Sequence, residues 1–348
     1  MLSDSPTQTY NKRNHNLDLL RVFAMTAVVV IHAAAPFILG DKLPDINFAT
    51  ALTYDAFSRF CVPMFVMLSG AVMFSLNTDI DETPLQFYAR KIKRFLPPIA
   101  FWFIFYWFFS GRMSSVWQSN SIVEAGQNVW SILTNGIPYY HLWYLYMLPG
   151  LFFLGPLLRH LKRKVTPRQW MWLGIGFLLF GILHNAKRII TGQGLPFFLE
   201  PVDFIGYLIL GDVLLNKKVS KSWSFVGYIA GSFVLATALY TFSLFNPGRF
   251  PFSSFLSPLI VLPTVSLFAL AQQKLSVAKN KLVYELAITS FGVYLVHAAI
   301  VDTIMKMTNF SLTSFVVVDI ALYTLATIAI SYAIVKILMS VKWLRWMV

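Results

Sequence analysis

Stretches of about 20 residues with few or no charges recur from one end of the chain to the other, each long enough for a helix to cross the hydrocarbon core of a bilayer. The run 223–244 has no charged residue, and 313–340 has only Asp319 and Lys336. Spacing and length predict ten transmembrane helices near 17–39, 54–76, 95–110, 140–158, 168–185, 197–215, 223–244, 252–271, 282–305 and 313–340. The third and sixth are short, and the sixth carries Glu200, Asp203 and Asp212. The expected fold is therefore an all-α integral membrane protein, with residues 1–348 forming a single membrane-embedded domain and no soluble domain left over.

Composition agrees. Apolar residues make up 57% of the chain against 12% charged, and the mean hydropathy is +0.63, which excludes both a disordered chain and a set of soluble domains. A formal net charge of +13 raises the question of nucleic acid, but the basic residues lie between apolar runs and form no common face, so no nucleic-acid partner is expected. They crowd alternate linkers: Lys12 and Arg13, then 90–94, 159–168, 217–221, 274–281 and 342–345. Cytoplasmic loops retain Lys and Arg, so these linkers and both termini are predicted to be cytoplasmic. A cleaved signal peptide ending at Ala33-Ala34-Ala35 is the rival reading of the first run; Asp18 and Arg21 interrupt its apolar stretch, and its removal would break the charge alternation. Residues 111–139, with Trp117, Ile122, Val123, Val129 and Trp130 among polar neighbours, read first as a surface-lying connector on the outer side, with an interfacial amphipathic helix or a lid over an outward cavity as the alternatives. The single cysteine, Cys61, excludes an intramolecular disulfide.

Ionisable side chains inside a span are costly unless paired or hydrated, so each marks a candidate site. On the span assignment, His32, His141, His184 and His297 fall at the outer level, together with Arg59, Glu200, Asp203 and Asp302. The inner level holds Asp18, Arg21, Glu285 and the run Arg90-Lys91-Ile92-Lys93-Arg94. Arg21 and His32 are separated by three helical turns, about 16 Å of rise, and share one face. A guanidinium at the inner end suits a phosphate-bearing ligand, and an imidazole at the outer end suits proton abstraction. Plainer roles stand beside these. Arg21 can pair with Asp18 one turn earlier, Arg59 with Asp55, and His32 can be a bonded core histidine. The 90–94 run can be an ordinary positive-inside loop, and His141 an aromatic-belt anchor. His32, His141 and His297 are also the natural ligands for a metal, but no short ligand spacing accompanies them, and no metal is expected. Ten spans with buried charge also fit a secondary transporter or exporter, which would show repeats and midplane charges; here the charges sit at two levels and no repeat is visible.

These residues resemble the acyltransferase-3 family of integral membrane O-acyltransferases. The resemblance is carried by Asn16-Leu-Asp-Leu-Leu-Arg21 with His32 eleven residues on, by 58–70 (SRFCVPMFVMLSG), by His141-Leu-Trp-Tyr144, by 203–211 and by Phe291-Gly-Val-Tyr-Leu-Val-His297, in order along nearly the whole chain. With no appended domain, the chain is most similar to stand-alone members of the enterobacterial common antigen O-acetyltransferase type. What the resemblance implies is transfer of an acyl group, usually acetyl, from cytoplasmic acyl-CoA to a hydroxyl of an envelope glycan or lipid-linked saccharide, by an enzyme of the bacterial cytoplasmic membrane. Its Arg-x10-His pattern falls on Arg21 as donor contact and His32 as base, with Arg59, His141 and His297 placed to orient the acceptor or stabilise the oxyanion. The family's Arg-x-x-Arg falls on Lys91-Ile-Lys-Arg94, where lysine replaces the first arginine and Arg90 is displaced by one; Arg90, Lys91 and Arg94 remain the expected donor-phosphate contacts. Membrane lipids and acyl-CoA are the implied partners besides the acceptor, and the oligomeric state, monomer or homo-oligomer, stays open.

Overall fold

Local sequence explains where the helices begin. A computed structural model describes residues 14–39, 45–75, 82–111, 114–134, 138–215, 217, 219–246, 248, 250–272 and 280–348. Asn14 caps α1 (His15–Ile38) by accepting the backbone N–H groups of Asn16 and Leu17, and Asp45 caps α2 (Ile46–Ser58). After a two-residue break at Arg59 and Phe60 comes α3 (Cys61–Ser75). Thr83 and Gln86 form a reciprocal capping box, with proline at the first turn, that starts α4 (Pro84–Phe109). Two short helices, α5 (Ser114–Trp117) and α6 (Ile122–Thr134), follow. Then come α7 (Trp143–Phe153), α8 (Gly155–Lys164) and α9 (Pro167–Thr191), the last opened by a second capping box at Thr166 and Gln169 and closed by Gly192 in the left-handed region. A 3₁₀ segment, Phe197–Phe204, leads into α10 (Ile205–Leu215); α11 (Lys221–Phe245), α12 (Pro258–Gln272), α13 (Lys281–Met307) and α14 (Val316–Ser340) complete the chain.

Among the described residues there is no strand, and seven helices are long and apolar enough to cross a membrane: 15–38, 46–74, 167–191, 221–245, 251–271, 281–307 and 316–340. The other three expected spans take different forms. The run 95–110 belongs to a 26-residue helix whose first turns carry the basic residues Arg90 to Arg94. The run 140–158 breaks at Leu154, ahead of Pro156, into α7 and α8. The run 197–215 spends its first eight residues as a 3₁₀ turn around Pro201 before an 11-residue helix. In the 111–139 segment the amphipathic helix is α6, with Ile122, Val123 and Trp130 exposed.

Helix α1 is surrounded by α2, α3, α13 and α14. Close approach elsewhere depends on glycine, as expected where lipid offers no hydrophobic drive and packing must supply the energy. A Cβ on Gly70 would lie 1.8 Å from the Leu208 carbonyl oxygen, and one on Gly211 would lie 1.9 Å from that of Met67, so α3 and α10 meet backbone to backbone. Charges within the bundle are paired: Lys162 with Asp212 at 2.7 Å and Lys336 with Glu285 at 2.8 Å.

Candidate active site

The first halves of α1, α4 and α13, the later part of α3, one face of α7 and Arg159 of α8 surround a cavity of about 500 Å³. Five cationic side chains line it: Arg21 from α1, Arg90, Lys91 and Arg94 from α4, and Arg159 from α8. Arg21 is bonded to Asp18 at 2.6 Å and so fills the plainer role as well as facing the cavity. Glu82 ties Arg90 through both carboxylate oxygens, at 2.8 and 2.7 Å, and reaches Arg159 at 3.1 Å. The Arg90 guanidinium holds the Glu82 carboxyl below its usual range. The Lys91 ammonium sits 3.9 Å from the centre of the Phe152 ring. Burial, reinforced by Arg90, Arg94 and Arg159, pushes its pKa down to about 8. Five cationic side chains around one cavity, Lys91 desolvated among them, suit a polyanion, since phosphate oxygens accept charge-assisted hydrogen bonds.

Deeper in the bundle, three helices bring three imidazoles together. His32 from α1 lies 5.3 Å, ring centre to ring centre, from His297 of α13, and His141, just ahead of α7, lies 5.1 Å from His297 on another side. The His297 Nδ1–H donates to the Tyr294 carbonyl at 2.6 Å, so in the neutral ring the lone pair is on Nε2. That Nε2 is buried and has no hydrogen-bond partner among the described residues. The Tyr140 ring packs 4.7 Å from His32, and its hydroxyl donates to Asp302 at 3.0 Å; Tyr139 donates to the other Asp302 oxygen. Tyr294 belongs to both regions. Its ring lines the cationic cavity and stands 5.5 Å from His141 and 5.6 Å from His297.

Arg59 stands at the break between α2 and α3, beside the histidines and outside the cationic cavity. It is held bidentately by Asp55, at 2.5 and 3.0 Å, donates to the Ser253 carbonyl, and lies 5.8 Å over Phe255. Its charge is close enough to act on His32. Of the residues nominated from sequence, Arg21, Arg90, Lys91 and Arg94 thus share one cavity, His32, His141 and His297 form one cluster, and Arg59 flanks that cluster. Sequence reasoning missed Arg159, Tyr140 and Tyr294. Arg159 is indistinguishable in sequence from other inner-side basic residues, whereas the tyrosines adjoin or precede nominated histidines by one and three positions. Among the described residues, no three His, Cys, Asp or Glu side chains are arranged to hold a metal ion.

A family model described as an acyltransferase domain matches residues 14–336, all but the two ends of the chain. The chain belongs to the acyltransferase-3 family. This acyltransferase carries every nominated residue inside the matched region, and its seven membrane-length helices make it a multi-pass membrane acyltransferase. No curated protein and no solved structure gives a significant match.

Proposed function

We propose that this acyltransferase moves an acyl group, in the simplest case acetyl, from cytoplasmic acyl-CoA to a hydroxyl of an extracytoplasmic envelope glycan or lipid-linked saccharide, as an O-acyltransferase of the bacterial cytoplasmic membrane. Stand-alone enzymes of the enterobacterial common antigen O-acetyltransferase type are the relatives this reading resembles. The observation that carries it is the position of Tyr294, one wall of the cation-lined cavity and a neighbour of two of the three clustered histidines. A donor whose phosphates lie among Arg21, Arg90, Lys91, Arg94 and Arg159 has its far end directed past that ring toward His32.

The topology that goes with this reading is ten spans with both termini cytoplasmic. Helix directions support it. The first halves of the first, third and ninth spans, the later part of the second and Arg159 just past the fourth meet at the cationic cavity, whereas the later part of the first, the start of the fourth and the later part of the ninth supply His32, His141 and His297. Strict alternation of direction across ten crossings produces this arrangement.

In the chemical step His32 takes the proton of the acceptor hydroxyl while that oxygen attacks the thioester carbonyl. The ester C–O bond forms, the C–S bond breaks, and the proton passes from His32 to the departing sulfur to give free CoA. The Arg59 charge favours the developing oxyanion. His297, with Nδ1–H committed to Tyr294, offers Nε2 as an acceptor that orients a hydroxyl or His32 itself. Purified His32→Ala is expected to keep its fold and donor binding and to lose transfer by a factor of roughly 10² to 10⁴, the usual share of a general base. Wild-type turnover in that variant would remove the base assigned here.

A further inference from the structure

A second cavity, of about 430 Å³, opens where the end of α9, the 3₁₀ segment and the 250–257 loop meet, against residues that Arg59 contacts. The end of α9 contributes Asn185 and Arg188, the 3₁₀ segment Glu200 and Asp203, the first residue of α7 Trp143, and the 250–257 loop Phe255. Arg59 and the chain itself join this cavity to the reaction centre. Arg59 reaches its rim, donating to the Ser253 carbonyl and lying over Phe255, and Trp143 is two residues from His141.

The lining is polar chemistry on an aromatic wall. Trp143 stacks on Phe255 with ring centres 5.6 Å apart and planes 19° apart. Asp203 is 4% exposed; its Oδ2 pairs with His184 Nδ1 at 2.8 Å, while Oδ1 is buried with no hydrogen-bond partner among the described residues. A buried carboxylate oxygen left this way is costly unless a donor reaches it. The Asn185 side-chain oxygen accepts from Ser254 at 2.8 Å and from Arg188 at 3.3 Å, which leaves its NH₂ group to donate. Arg188 faces Glu200 at 3.5 Å. Among the described lining residues two carboxylates, Glu200 and Asp203, stand with one guanidinium, and Arg59 at the rim is matched by Asp55, so the cavity disfavours an anionic occupant such as a CoA phosphate. An acyl chain would leave Asp203 Oδ1 unsatisfied. A neutral sugar meets every requirement: hydroxyls that donate to Asp203 and accept from Asn185 and Arg188, and a C–H face for the aromatic wall.

We infer that this cavity is the acceptor subsite, that it takes a neutral saccharide unit, and that Asp203 is the group that fixes the sugar by accepting its hydroxyl hydrogen bonds. The inference rests on the transferase reading above and adds where, and by which residues, the acceptor is held. Asp203 is a binding residue, and its conservative amide removes charge with little change of shape.

The test uses the purified full-length protein without acyl-CoA, with saturation-transfer NMR of methyl glucoside, methyl galactoside and N-acetylglucosamine, and glucuronate as the anionic control. The expected result is binding of at least one neutral sugar, with weaker glucuronate, and a loss on the order of tenfold or more in Asp203→Asn while CoA affinity stays at the wild-type value. If Asp203→Asn lowers the melting temperature, the half-exposed Glu200→Gln is read in its place, with a smaller loss of the same sign. No neutral sugar bound by the wild type, equal affinity in all variants, or glucuronate bound as tightly as the neutral sugars would each overturn the inference. The transferase reading fails separately: turnover retained in His32→Ala refutes the base and leaves these sugar titrations unaffected.

Discussion

Arg21 pairs with Asp18 and, on the function proposed above, also holds the donor; replacing it tests whether the two roles can be pulled apart. Its guanidinium lines the cationic cavity and is bonded at 2.6 Å to Asp18, which is 1% exposed. Arg21→Ala therefore leaves a buried carboxylate without its main counter-charge, at a cost of about 3 to 5 kcal/mol. That is a large part of the stability of a typical fold, about 5 to 15 kcal/mol. The same substitution removes charge-assisted hydrogen bonds to the donor phosphates, at about 1.5 to 3 kcal/mol, or roughly 10- to 150-fold in acyl-CoA affinity. Loss of activity in this variant alone is thus ambiguous. The double variant Asp18→Asn with Arg21→Gln restores a neutral bonded pair and most of the stability but none of the phosphate recognition. The assay is thermal melting in detergent with and without CoA, since a ligand at 100 times its Kd stabilises the native state by about 2.7 kcal/mol. The double variant should melt near the wild type without CoA and show a much reduced upward shift with it. A full CoA-induced shift in the double variant would refute the assignment of Arg21 to the donor.

Lys91 predicts a pH dependence. Its pKa in the folded protein is about 8, against 10.5 for an ordinary lysine, so it is charged below pH 8 and neutral above. Affinity for CoA should be greatest below pH 8 and fall as pH rises through that value, with proton uptake on binding above it, whereas Lys91→Arg should bind without this step; isothermal titration between pH 7 and 9.5 reads both. The unliganded fold shows the opposite trend: from pH 8 to 10.5 the unfolded chain binds the extra proton, so the Lys91 contribution to stability rises over that window. Gly211→Ala, which sets a methyl 1.9 Å from the Met67 carbonyl oxygen, should lower stability by about 1 to 3 kcal/mol or more, whereas Gly176→Ala, with nothing within 4 Å, should be neutral or slightly stabilising in the same melting assay. Asp302→Asn weakens the acceptor that holds Tyr140 against His32 and should lower kcat by roughly tenfold with the KM for acyl-CoA unchanged; a change in KM alone would place Asp302 in the donor site.

What the amino-acid sequence reveals here follows the length scale of each interaction. The common face of Arg21 and His32 is a property of one helix, and the Arg59–Asp55 and Arg21–Asp18 pairs lie one turn apart, so all three are legible without coordinates. Depth is legible too: with crossings that alternate in direction, the later part of two apolar runs and the start of a third put His32, His297 and His141 at one level. Adjacency is not, since the same depth is available all around a bundle, and only the packing of α1 against α13 brings His32 within 5.3 Å of His297. Continuity fails for a related reason. An apolar window averages over about 20 residues and cannot register the two-residue break at Arg59 or the break at Leu154, although the first puts a guanidinium beside the histidines and the second lets α8 carry Arg159 to the cationic cavity. The positive-inside rule hides Arg159 because it counts the basic residues of a linker alike, whereas a shared cavity depends on which of them the helix breaks bend toward one another.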